Sequence, residues 1–111
     1  MSRLDRDSRD LLRGMGELYR RAGQPQRALV MLLIAAHMMP TDRTLLRNLA
    51  LAFTDSGDAT RALNALDRLQ ALGGNDPEDH LLRARALWRG GDSEQARACF
   101  KTYLAQRKHR P

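Results

Sequence analysis

Chemistry-bearing side chains are scarce in this 111-residue chain, which holds one cysteine, three histidines and five aromatic residues. A single thiol, Cys99, cannot close an internal disulfide, which fits a reducing compartment. No nucleophile signature surrounds it, so it reads as a small helix residue rather than a catalytic group. His37, His80 and His109 fall on three separate segments without cysteine partners, and a metal site is unsupported. There is no phosphate-cradling glycine loop followed by lysine, no pair of histidines at metal spacing and no nucleophile elbow. The expectation is a protein that is not an enzyme, with no catalytic, cofactor-binding or metal-ligating residue and no cofactor.

Long hydrophobic runs are missing too. The longest, from Ala28 to Met39, is broken by His37 and falls short of the roughly 18 residues that a membrane-spanning helix requires. The opening stretch from Met1 to Asp10 is dense in Arg and Asp and has no apolar core, unlike a secretory signal. A soluble cytoplasmic protein without membrane insertion is expected. No segment alternates in the manner of a strand, so the chain reads as all-helical.

Charge is abundant but unevenly placed. Net charge is +6 with a sequence pI near 10.7, which raises nucleic acid as a partner. Residues 1–27 carry +3, residues 28–82 carry −3 and residues 83–111 carry +6, with acidic residues interspersed throughout. Nothing resembles a recognised nucleic-acid motif. A solvated face or an acidic protein partner is the preferred reading, and a nucleic-acid adaptor stays as the outside alternative.

What the sequence does have is a period. Gly23, Gly57 and Gly91 are each 34 residues apart, the length of one helix-pair unit in a helical solenoid. Each glycine sits between two helical stretches, where a residue able to enter the left-handed region ends a helix at little cost. Columns around them agree. Seven residues before stand Gly16, Ala50 and Ala84, and five after stand Ala28, Ala62 and Ala96; four before come Tyr19, Phe53 and Leu87, and nine after come Leu32, Leu66 and Phe100. Small residues that let backbones approach, alternating with large ones that fill the groove, are what paired antiparallel helices need. Apolar spacing of 3.6 predicts helices over about Asp7–Ala22, Pro25–Met39, Asp42–Ser56, Asp58–Leu72, Pro77–Arg89 and Asp92–Arg107. Asp7 or Ser8 caps the first, whose apolar stripe is Leu11, Leu12, Met15, Leu18 and Tyr19; Gly73-Gly74-Asn75 marks a clear break.

These columns resemble the tetratricopeptide repeat. The first unit carries Leu12, Met15, Gly16, Tyr19, Ala28, Leu32, Ala35 and Pro40 in that family's order, while the third departs from it at His80 and Arg83. The resemblance covers about residues 9–108 and implies three tandem helix pairs, about 9–42, 43–76 and 77–108, forming a short right-handed solenoid in one domain, residues 1–111. It also implies that the first helix of each pair lines a concave groove. Groove columns then hold Arg13, Glu17 and Arg20 from the first unit, Thr44, Arg47, Asn48, Leu51 and Asp55 from the second, and Leu81, Arg85, Trp88 and Arg89 from the third. Leu51, Leu81 and Trp88 would form an apolar floor bordered by arginines, suited to an amphipathic helix or extended segment. Trp88 packing on the end of the array is the equal alternative.

The second helix of the first unit comes with its own control. Its outward columns hold Val30, Leu33 and Ile34, with His37 one turn further, whereas the matching positions are Asn64, Asp67 and Arg68, then Ala98, Lys101 and Thr102. A helix apolar all round is normally covered on all sides. A protein partner or a second copy is expected there, in preference to Met1–Arg6 folding back, which offers only Leu4. At the other end, Lys108-His109-Arg110-Pro111 follows the last pair directly, so the third unit either serves as its own cap through His80 and Arg83 or is covered by the partner.

Within repeat proteins of this size, the third unit is similar to the YscY/PscY-type chaperones of bacterial type III secretion. The residues that carry this are Leu82, Arg85-Ala86, Gly91-Asp92, Ala96-Arg97 and Tyr103-Leu104 followed by Lys108. The resemblance implies a bacterial cytoplasmic chaperone that forms a heterodimer with a small early-exported protein of the YscX type and engages the inner-membrane export gate. A translocator chaperone, which is usually longer, and a co-chaperone gripping acidic tails are the alternatives. The second is disfavoured by Glu17, Glu78 and Leu82 standing where carboxylate grips would be.

Overall fold

Helices begin and end in this chain where local backbone chemistry dictates. At Gly57, with φ of +85°, the Gly57 amide donates to the Thr54 carbonyl and the Asp58 amide to the Phe53 carbonyl at 2.8 Å. That double closure satisfies carbonyls a helix end would otherwise leave open. The same turn recurs at Gly23 and Gly91. Four aspartates then restart the chain: Asp42, Asp58, Asp76 and Asp92 each accept a backbone amide of the first helical turn, from Leu45, Arg61, Glu78 and Gln95 respectively. Gln24 makes no such bond, and Pro25 at the first helical position opens the helix instead.

The computed structural model describes residues 3–74 and 76–108, with the side chain of Leu4 left out. Among these residues there are six helices and no strand: α1 (Arg3–Arg21), α2 (Pro25–Met38), α3 (Arg43–Asp55), α4 (Ala59–Ala71), α5 (Pro77–Arg89) and α6 (Ser93–Lys108). The alternative in which Met1–Arg6 folds back over α2 rested on Leu4, and that side chain, like Met1, Ser2, Asn75 and the tail from His109, lies outside the described residues.

The six helices match the periodic pattern closely, with one correction. The first helix starts at Arg3 rather than near Asp7, so Asp7 and Ser8 lie inside it and do not cap it. The segment has no Gly or Pro to break it, and its opposite charges fall four apart, Asp5 before Arg9 and Arg6 before Asp10, which supports an exposed helix.

Consecutive helices pack antiparallel in pairs, and the pairs stack so that α3 touches α1, α2, α4 and α5. This gives α3 the most buried surface in the molecule: Leu45, Leu46, Leu49, Ala50, Ala52 and Phe53 all enter the core. Each such leucine contributes about 1.5–3 kcal/mol by leaving water. The small-residue column sits where the pattern requires it, with Gly16, Ala50 and Ala84 buried. Gly16 leaves no room for a side chain. A Cβ there would lie 2.6 Å from Cγ of Leu32, which is itself wholly buried.

Candidate protein-binding site

Three apolar surfaces remain open once the core is assembled. The first lies on α2. Ala28, Leu29, Leu32, Ala35 and Ala36 face the core, so the opposite side of the helix carries Val30, Leu33, Ile34 and His37, all exposed. The equivalent positions of α4 and α6 are exposed as well, and there Asn64, Asp67, Arg68, Lys101 and Thr102 meet solvent without penalty. The apolar stripe is therefore a property of one helix and not of the architecture.

A second surface is a groove of about 580 Å³ at the end of the array, floored by Leu81, Ala84 and Trp88 of α5 with Ala96 and Phe100 of α6. Arg85, Arg89 and Arg97 stand around it. Arg85 reaches Asp55 at 3.8 Å, whereas no hydrogen bond or ion pair within the chain engages the Arg89 or Arg97 guanidinium among the described residues. The third surface is on α1, where Leu11 and Leu18 are exposed. Both belong to the apolar stripe expected of the first helix; at seven residues' separation they share the side turned away from Gly16 and the core.

The groove expected from sequence is only partly assembled. Leu81 and Trp88 do lie together, but Leu51 is half-buried and does not line the groove; Phe100 of α6 takes that place. Asn48 is 6% exposed, which removes it from any open surface: it sits on α3, the helix packed on the most neighbours. Besides Arg85, two more of the expected arginines are occupied. Arg13 pairs with Asp42 at 3.5 Å, and Arg47 donates to Asp79 at 2.8 Å and to Asp76 at 3.4 Å. These contacts tie each first helix to the start of the next unit. The hydrogen bond to Asp79 raises the Arg47 pKa further above its ordinary value, against the opposing effect of partial burial. Arg20 is half-buried and its Nε has no hydrogen-bond partner among the described residues.

Cys99 and His80 line a separate hollow of about 480 Å³ with Asp76 and Asp79. No cluster of three or more His, Cys, Asp or Glu side chains suited to a metal ion occurs among the described residues. No helix is long and apolar enough to cross a membrane, among the same residues.

A stack of helical hairpins with open apolar faces and structural ion pairs at its junctions defines a scaffold of the protein-interaction class. The chain belongs to the tetratricopeptide repeat family, whose sequence model matches residues 13–79 and 81–111. Among solved structures, the crystal structure of the TPR domain of Arabidopsis FLU is similar, with a TM-score of 0.86 over 96% of this chain and 99% of that one. At 17% identity the likeness shows the fold alone. No curated protein matches the sequence.

Proposed function

We propose that this chain is a bacterial cytoplasmic type III secretion chaperone of the YscY/PscY type, one domain of three repeats that forms a heterodimer with a small early-exported protein and presents it to the export gate. It acts by binding and performs no chemistry. The observation that carries the reading is the stripe Val30, Leu33 and Ile34, exposed on α2 where the sibling helices are polar. An export substrate has apolar helices that must stay soluble before secretion, and a partner presenting such a stripe covers them while burying its own exposed surface.

The fold supports a protein-binding role in general, and the likeness of the third unit to the YscY/PscY group supports the particular partner. The test is coexpression with the small open reading frame adjacent to the gene. A YscX-type neighbour should co-purify in a 1:1 complex and raise the thermal midpoint. Mass action gives about 2.7 kcal/mol of stabilisation when free partner stands a hundredfold above its dissociation constant. A chain that stays monomeric, with a high midpoint unaffected by any coexpressed neighbour, would contradict the proposal. Loss of binding at moderate salt, together with retention on nucleic acid, would favour the adaptor alternative.

A further inference from the structure

The groove at the end of the array is a helix-docking slot whose equivalents are already filled twice within the molecule. Moving back one unit from Ala84, Trp88, Ala96 and Phe100 gives Ala50, Thr54, Ala62 and Leu66. Those four residues are buried where α5 packs over α3 and α4. One unit earlier, Gly16, Ala28 and Leu32 are buried where α3 packs over α1 and α2. In the third unit none of the described residues lies over the same columns: Phe100 is 44% exposed against 2% for Leu66, and Trp88 is 65% exposed against 7% for Thr54.

Electrostatics sets this slot apart from the two filled ones. In those, Arg13 and Arg47 reach forward to Asp42 and Asp76, the N-cap of the incoming helix. The third unit has Leu81 in that column, so a capping aspartate is no longer gripped there. Arg85 and Arg97 replace Leu51 and Leu63 along the slot, and Arg89 stands where the second unit has Asp55 and the first has Arg21; Asp55 also lines the slot, beside Arg85. Acidic side chains on the flanks of an incoming helix complement Arg89 and Arg97, whose guanidinium groups have no hydrogen-bond or ion-pair partner among the described residues. A second copy does not offer this, because α1, the helix that would enter in a head-to-tail stack, carries six arginines against four acidic residues.

We infer that the slot takes an acidic amphipathic helix of the partner chain, seated over α5 and α6 as α3 is seated over α1 and α2. The inference rests on the chaperone reading and deepens it by naming the kind of segment the partner supplies. Such a helix repeats the pattern by which α3 fills its own slot, with large apolar residues at the spacing of Leu45, Leu49 and Phe53. Its flanking carboxylates meet the guanidinium groups of Arg89 and Arg97.

Trp88 is the single tryptophan and reports on the slot directly. The probe is a helix-stapled peptide with the sequence of residues 42–56, carrying Arg43→Glu and Arg47→Glu, titrated into the full chain. A saturable blue shift of Trp88 emission is expected, with affinity at least tenfold above that of the unmodified peptide and falling as salt is raised. Arg89→Glu combined with Arg97→Glu, at exposed positions, should weaken the acidic peptide at least tenfold without loss of helical content, as should Phe100→Asp. The inference is overturned by an unshifted Trp88 at saturating peptide, by equal affinity for both peptides, or by a shift that follows protein concentration alone, which would mean that a second copy docks. Co-purification separates the two levels. If Phe100→Asp still retains the coexpressed neighbour while Leu33→Asp loses it, the slot is wrong and the chaperone reading stands; if the peptide binds and no neighbour co-purifies, the reverse holds.

Discussion

The middle helix pair and the outer ones are written in the same 34-residue columns, yet they differ in what covers them. Leu45 of α3 is wholly buried, and its counterpart Leu11 of α1 is largely exposed; Leu66 of α4 is buried, and its counterpart Phe100 of α6 is not. Side-chain type alone therefore does not decide burial in a stacked array. Position along the stack does, because each unit buries its faces against neighbours that an end unit has on one side only. The outer pairs leave the large apolar residues exposed, and the middle pair holds most of the core.

That contrast is broken most forcefully by truncating matched residues. Leu45→Ala should cost about 2–5 kcal/mol, since it empties a packed site, whereas Leu11→Ala in the same column should change stability by no more than about 0.5 kcal/mol. Urea unfolding of the two variants measures this. Equal costs would mean that Leu11 is covered in solution.

Overpacking the helix crossings should have the next largest effect. Ala50→Leu should cost about 1–3 kcal/mol, and Gly16→Ala should be destabilising as well, because its new Cβ meets a leucine that has no room to move. Thermal midpoints report both changes. An unchanged midpoint for either variant would displace the repeat register.

A smaller difference separates the ionic ties. Arg47→Ala removes a part-buried guanidinium with two carboxylate partners joining α3 to α5, and should cost about 1 kcal/mol. Arg85→Ala, whose guanidinium is half-exposed and 3.8 Å from Asp55, should lie within about 0.5 kcal/mol of the wild type. Chemical denaturation at low and high salt should show the first cost shrinking and the second vanishing.

Much of this was legible in the sequence. The three glycines are local devices that act within a few residues of where they are written, and the small-residue column shows as a repeat; Asp42, Asp58 and Asp92 were legible only as approximate helix starts, not as caps. Val30, Leu33 and Ile34 were visible for a related reason, since comparing sibling columns needs no knowledge of packing. What escaped was set by absent neighbours. Phe100 shares a column with the buried Leu32 and Leu66, so it reads as core, but among the described residues no helix packs over α6 as α5 packs over α4. The arginines misled in the opposite direction: Arg13 and Arg47 look like ligand grips, but the carboxylates that occupy them are 29 residues or more away in sequence. Asn48 has no sequence signal that distinguishes a groove position from a buried one. Only the position of α3 between its neighbours does so.

The smallest structural perturbation offers the sharpest functional test. Leu33→Asp places a charge on the outward face of α2, and Lys101→Asp places the same charge in the same column of α6; both positions are exposed, and each should leave stability within about 0.5 kcal/mol of the wild type. The decisive measurement is a binding titration of the coexpressed small neighbour against these two variants. The account predicts that Leu33→Asp weakens binding at least tenfold while Lys101→Asp binds like the wild type. Equal binding by the two, with folding verified by circular dichroism, would contradict the claim that the apolar face of α2 holds the partner.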